Sequence, residues 1–182
     1  MLVTRLVIGL LYIGHGLQKL VPPERSPRLL AAHGLRAVAS GFDQMGLSPG
    51  APLVVLAALG EIGGGFLLAA GLVTPLGTAL IAAVMTVAIL RVHWSKGIWA
   101  SARGFELPLV MLTAAYVVSA IGPGNLSLDA AAGISNWTAV HWGVGDAVKA
   151  GAAVGLGVAA GLLSLVLARA ARSTRHELFP AH

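Results

Sequence analysis

Three ionisable side chains lie inside long apolar stretches of this sequence, where an uncompensated charge is costly. Glu61 is part of ALGEIGGGFLLAAG, and His15 and Lys19 are four residues apart in LYIGHGLQKL. An imidazole and an ammonium group can hold a ligand oxygen by hydrogen bonds, and a carboxylate can take up and release a proton. These residue types indicate a polar binding site, provided that the surrounding elements bring them together.

Those elements are predicted to be membrane-spanning helices. The chain is 57% hydrophobic and 10% charged, and it has five apolar runs long enough for a hydrocarbon core that needs ~20 residues. Backbone groups in lipid must be satisfied within their own segment, so helices are expected rather than open strands. The first run passes directly into GHGLQKL without a small-residue cleavage site, which favours a retained helix over a signal peptide. The predicted helices cover residues 3–21, 52–73, 75–93, 105–121 and 147–169.

The charge distribution predicts a membrane orientation. The 12 Lys and Arg residues lie at predicted helix ends and in short loops, a pattern of membrane topology and not of nucleic-acid binding. Arg5 and Lys149 lie on one side of the five-helix bundle, and the other basic residues lie on the opposite side: Lys19, Arg25, Arg28, Arg36, Arg91, Lys96, Arg103, Arg169, Arg172 and Arg175. We therefore expect an outside N-terminus and a cytoplasmic C-terminus. The sequence has no cysteine, which excludes disulfides, thiol exchange and iron–sulfur ligation.

Two segments outside the four N-terminal helices carry patterns of their own. Residues 26–46 are predicted to form an amphipathic helix that starts at Ser26-Pro27, ends at Gly46 and lies in the interface or over the bundle. The alternative is a solvated loop with some helix. The fifth helix has two GxxxG spacings, which allow close helix packing and suggest a homo-oligomer without predicting one by themselves. Its small residues are Gly151, Gly155, Gly157 and Gly161.

The antiparallel order of the helices places polar residues from four of them in one half of the membrane. At ~1.5 Å of rise per residue, His15 lies roughly 9 Å and Glu61 roughly 14 Å inside the face where Lys19 marks the rim. His93 ends the third helix and Glu106 begins the fourth at that face. We predict one pocket for ligand binding and proton exchange from these five residues. Glu61 must be protonated or paired with His15 or Lys19, and the alternative role is a structural ion pair.

Several stretches of the sequence resemble the DoxX family of integral membrane proteins. They are RLVIGLLYIGHGLQKL, LAALGEIGGGFLLAAGLVTPLG, MTVAILRVHWSKGIW, GFELPL and GPGNLSLD, which together cover roughly residues 1–132. The resemblance implies a four-helix transmembrane core, usually bacterial and in the cytoplasmic membrane. The family motif residues carried onto this chain are again His15, Lys19, Glu61, His93 and Glu106. Residues 133–182, with the helix at 147–169 and a basic tail, extend beyond that core.

The same resemblance implies redox contexts, including a thiosulfate:quinone oxidoreductase subunit, quinone or catechol stress and a membrane complex of oxidative-stress defence. Our main hypothesis is a subunit that binds a quinone-like or small phenolic molecule and receives electrons from a soluble or membrane oxidoreductase partner. No motif for a covalently bound cofactor occurs, so the chain is at most a non-autonomous part of an enzyme. A proton-coupled transporter and a structural or assembly subunit are the alternatives. A metal site is not expected, because no helix has the Glu-x-x-His spacing of di-metal bundles.

Overall fold

A computed structural model describes residues 1–133 and 144–178, and those residues form a helical bundle without a strand. The predicted all-α architecture is therefore confirmed. The helices are α1 (Leu2–Leu20), α2 (Leu35–Gln44), α3 (Gly50–Ala70), α4 (Thr74–Ala88), α5 (Glu106–Ile121), α6 (Leu128–Ala131) and α7 (Val144–Leu178). Parts of the predicted C-terminal extension, residues 134–143 and 179–182, lie outside the described residues.

The long helices pack with α4 in the middle of the bundle. α4 contacts α3, α5 and α7, while α1 packs mainly against α3 and α2 lies against α3. α1 and α4 end at the same end of the bundle at which α3 and α5 begin, and we call this end the Lys19 face. The opposite end, which includes the start of α1, is the Arg5 face. This order confirms the antiparallel connectivity on which the predicted pocket depends.

Glycines set the distance between α1 and α3. A Cβ atom on Gly9 would lie 2.7 Å from the Cβ of Ala69, and one on Gly65 would lie 2.9 Å from the Cβ of Tyr12. Neither contact is possible without moving a helix, so the two backbones approach as closely as glycine allows. In a bilayer such close van der Waals packing is a main source of helix association.

Among the described residues, three helices are long and apolar enough to cross a membrane by length and composition: Gly50–Ala70, Thr74–Lys96 and Ala147–Ala170. α5 is apolar but has only 16 residues, and the 19-residue α1 carries Arg5 and Lys19. The predicted fifth helix is present as part of α7. It packs against α4, where Gly157 and Gly161 approach the α4 backbone.

The predicted start of the amphipathic helix at Ser26 is wrong. α2 begins at Leu35, after Gly34 with a positive φ of 80° that a helix does not allow. The hydroxyl of Ser26 instead accepts a hydrogen bond from the backbone N–H of Ala32 at 3.1 Å. α2 does end before Gly46, as predicted, and it lies over α3.

The third predicted helix changes its winding before it ends. Regular α-helix stops at Ala88, and Ile89–His93 form a wider π-helical turn that leads into Trp94–Lys96. π turns are often found where a helix must place a side chain at a functional site. Here the turn carries His93 at the Lys19 face.

Candidate functional site

The centre of the site is an ion pair between α1 and α3. Lys19 Nζ lies 2.5 Å from Glu61 Oε2, and it also donates to the backbone oxygen of His15 at 3.1 Å. Glu61 is only 3% exposed. The pairing with Lys19 gives the buried carboxylate the counter-charge that a membrane-embedded charge requires. One of the three N–H donors of the ammonium group is left for a further acceptor.

The ring of His15 is held by a short chain of hydrogen bonds. Its Nδ1 lies 3.2 Å from Oε1 of Gln18, and Nε2 of Gln18 donates to the backbone oxygen of Leu30 at 2.8 Å. Because the amide nitrogen of Gln18 is hydrogen-bonded to Leu30, the amide oxygen of Gln18 faces the imidazole of His15. Nδ1 is therefore the donor of the neutral His15 ring. Nε2 of His15 is then an acceptor.

A cavity of about 760 Å³ lies beside this pair. His15, Lys19 and Glu61 belong to its lining. The rest of the lining is largely aliphatic and comes mainly from α3, α4, α5 and α7. A volume of this size suits an organic molecule with an apolar body, and a few polar groups on the wall would fix its orientation. The arrangement can therefore hold an oxygen-bearing ligand and exchange a proton with it.

The structure brings four of the five predicted site residues to this cavity. His93 lines it, and its Nδ1 lies 2.7 Å from the backbone oxygen of Arg103, which also lines the cavity. Glu106 is not part of the lining. Its Oε2 accepts the backbone N–H of Ala100 at 2.7 Å, so the carboxylate holds the loop before α5. Glu106 is thus placed as a loop-ordering residue next to the site.

The glycines around Glu61 divide between the cavity and helix packing. Gly60 lines the cavity. Gly64 packs against α4, where a Cβ would lie 2.9 Å from the Gly77 oxygen, and Gly65 packs against α1. Gly60 thus borders the cavity, whereas Gly64 and Gly65 serve helix packing.

Comparison with known proteins identifies the family. The sequence model of the DoxX family matches residues 1–94, just over half of the chain. The chain belongs to the DoxX family. The search of curated proteins and the search of solved structures found no match.

The DoxX match ends at Trp94, directly after the π-helical turn that follows α4. It includes His15, Lys19, Glu61 and His93, whereas Glu106 and all of α5 and α7 lie beyond it. Three lining residues of the cavity come from α7, namely Ala160, Gly161 and Ser164. The part of this DoxX protein outside the family match thus contributes a wall of the candidate site.

Sequence reasoning missed a second buried polar cluster, at the Arg5 face. Arg5 and Asp129 are 1% and 0% exposed. Arg5 Nη2 donates to the Leu126 backbone oxygen, and the carboxylate of Asp129 accepts the backbone N–H of Val73 at 3.1 and 3.2 Å. The chain order already puts the start of α1 and the loop after α5 at one face, which was the available signal. The cluster links the start of α1, the α3–α4 connection and the segment after α5.

The described residues contain no group of three or more His, Asp or Glu side chains that could hold a metal ion. His15 and Glu61 line one cavity, but the carboxylate of Glu61 is engaged by Lys19. The chemistry that these groups offer is hydrogen bonding and proton exchange.

Proposed function

We propose that this DoxX protein is a redox-associated subunit of the bacterial cytoplasmic membrane that binds a quinone-like or small phenolic molecule in the cavity beside Lys19 and Glu61. One observation carries the proposal: a largely aliphatic cavity of about 760 Å³ has a buried carboxylate–ammonium pair on its wall. Such a cavity fits a ring with two oxygen atoms better than it fits an ion or a sugar.

The residues present fit both forms of such a ring. The remaining N–H donor of Lys19 suits a carbonyl oxygen, and Nε2 of His15 suits a phenolic hydroxyl. Glu61 is the group in hydrogen-bonding contact with Lys19 that can hold or give up a proton when the charge beside it changes. A bound quinone would supply two-electron ring chemistry, and the chain supplies the orientation and the proton.

Electron transfer requires a partner in this account. The sequence has no flavin, dinucleotide or haem attachment motif and no cysteine. The protein is then a non-autonomous subunit of a quinone-linked oxidoreductase in oxidative-stress defence, and the electrons come from a soluble or membrane oxidoreductase.

The orientation follows from the basic residues. Arg25, Arg28, Lys96 and Arg103 lie in the connections at the Lys19 face, whereas Arg5 lies at the other end. The positive-inside rule then puts the Lys19 face and the C-terminus in the cytoplasm and the N-terminus outside. The polar end of the cavity would face a cytoplasmic electron donor.

The experiment is a thermal-stability titration of purified protein in detergent with a short-chain benzoquinone. Wild type, Glu61→Gln and Glu106→Gln are compared, because Glu106 is an acidic residue of the same region that does not line the cavity. We expect saturable stabilisation of wild type and Glu106→Gln and no stabilisation of Glu61→Gln. An equal response in all three proteins, or none in wild type, would contradict quinone binding at Glu61 and favour the transport or structural alternatives.

A further inference from the structure

The cavity continues from Glu61 into an apolar trough between α3, α4 and α7. Each helix lines it with residues of one face: Leu53 and Leu56, Leu80 and Val87, and Ala160 and Ser164. Leu80 and Val87 are seven residues apart, so the trough extends about 10 Å along α4. Ser164 is the polar member of this set, and its hydroxyl donates to the backbone oxygen of Gly161 at 2.7 Å. The trough therefore presents a hydrocarbon-like wall to whatever lies in it.

Gly60 lies where the trough meets the polar part of the cavity. It is the neighbour of Glu61 and belongs to the same lining. A Cβ atom on Gly60 would lie 2.9 Å from Cγ2 of Val84. A side chain at this position would push against Val84, so glycine lets α3 approach α4 closely beside the cavity.

The trough is closed towards the water at the Lys19 face. Leu47, Leu165 and Ala168 form a buried cluster there, and Phe42 and Leu53 pack against it. α2 contributes Phe42 and so forms part of this closure. This cluster bounds the trough on the side of α2.

The side of the trough is exposed instead. Leu56 is 62% exposed, and the neighbouring lining residue Leu59 is 56% exposed. Ala160 is also exposed. All three belong to the apolar segments Gly50–Ala70 and Ala147–Ala170, which are long enough to span a membrane. Exposed positions on such segments face lipid hydrocarbon, so the cavity opens laterally into the bilayer.

We propose that the ligand of this cavity is a membrane-dissolved amphiphile that enters between α3 and α7. Its apolar tail lies in the trough against Leu56 and Ala160, and its polar ring lies at Lys19 and Glu61. This inference rests on the proposed function and specifies the ligand class, namely a quinone or phenol with a hydrocarbon tail. It also gives α7 a role as the wall that holds the tail.

The test measures binding of two methoxylated benzoquinones that share one ring, one without a tail and one with a decyl tail. They are titrated into full-length wild type, Ala160→Phe and Ala159→Phe in lipid nanodiscs. Ala159 and Ala160 are adjacent, exposed residues of α7, but only Ala160 lines the cavity. Each variant is compared with wild type for the same quinone, so partition of the tail into lipid cancels.

Ala160→Phe should weaken binding of the decyl quinone about tenfold or more, because a phenyl ring overfills the space that the tail needs. It should leave the tailless quinone within about twofold of wild type, and Ala159→Phe should leave both unchanged. If Ala160→Phe does not fold, Leu56→Trp takes its place with the same expectation.

Equal affinities of wild type and Ala160→Phe for the decyl quinone would overturn the placement of the tail beside Ala160. Equal losses of decyl-quinone affinity in Ala160→Phe and Ala159→Phe would overturn it as well. In both cases binding of the tailless quinone would leave the proposed function standing. Failure of wild type to bind either quinone would overturn the tail assignment and the proposed function together.

Discussion

Lys19 Nζ and Glu61 Oε2 lie 2.5 Å apart, although 42 residues separate them in the chain. The contact depends on how closely α1 approaches α3. A Cβ atom on Gly16, one turn before Lys19, would lie 2.8 Å from the backbone oxygen of Ala58, one turn before Glu61. The absence of a side chain at Gly16 therefore lets the two charges meet inside the bundle.

The ion pair should show energetic coupling. Glu61→Gln leaves a partly buried ammonium without a counter-charge, and Lys19→Met leaves the carboxylate alone. We expect each change to lower the free energy of unfolding by about 1–3 kcal/mol, and the double variant to be less destabilised than the sum. Equilibrium unfolding in mixed detergent measures all three, with Glu24→Gln at an exposed position as control. Strictly additive effects would show that the two charges act independently.

The α1–α3 packing can be tested within a single helix. Gly9→Ala places a methyl group against the backbone of α3, whereas a Cβ on Gly14 meets no atom within 4 Å. Gly9→Ala should destabilise the protein by about 1–3 kcal/mol, and Gly14→Ala should be neutral or stabilising by up to about 1 kcal/mol. Both variants are compared by thermal unfolding. Equal midpoints for the two would be incompatible with the close helix approach.

The cluster at the Arg5 face should matter more for stability than a surface carboxylate. Asp129→Ala removes the acceptor of the Val73 N–H and leaves the buried Arg5 without a nearby negative charge. We expect a loss of about 3–5 kcal/mol. The comparison is Asp43→Ala, which removes acceptors for the Ser48 hydroxyl and the Gly50 N–H and should cost about 1 kcal/mol. A smaller loss of stability for Asp129→Ala than for Asp43→Ala would show that Asp129 does not hold these segments together.

The four glycines of the two GxxxG spacings in α7 divide into two pairs. A Cβ on Gly157 would lie 2.6 Å from the Cβ of Ala82 in α4, while Gly151 and Gly155 face open space. Gly157→Ala should therefore lower the thermal midpoint by several degrees through overpacking, and Gly155→Ala should leave the monomer fold unchanged. Of the four glycines in the two GxxxG spacings, Gly151 and Gly155 remain available for the predicted homo-oligomer. Gly155→Leu should dissociate it in an analytical ultracentrifugation run, and an unchanged oligomer would place the interface elsewhere.

The helical bundle and the meeting of His15, Lys19 and Glu61 were predictable because apolar length and antiparallel order determine them. Depth along each helix follows from residue count alone, and it placed these residues in the same half of the membrane. Residue count gives no side-chain direction, however, and Glu106 bonds to the loop at Ala100 instead of lining the cavity.

The remaining differences come from tertiary packing that no local pattern shows. Gly64 and Gly65 look like part of a ligand surface in the sequence, but their partners are helices distant in the chain. Ser26-Pro27 resembles a helix start, yet the positive φ of Gly34 delays the helix to Leu35. Arg5 and Asp129 are polar residues near chain turns, and only the fold makes them buried.

The most direct measurement of the central claim is the amount of quinone that co-purifies with the protein. Wild type, Glu61→Gln and Glu106→Gln are isolated from the same quinone-containing bacterial membranes, extracted with organic solvent and assayed by chromatography. We expect a constant, near-equimolar amount of quinone in wild type and Glu106→Gln, and a roughly tenfold lower amount in Glu61→Gln. Equal amounts in wild type and Glu61→Gln, or only the trace carried by residual lipid in all three, would contradict a quinone site at Glu61.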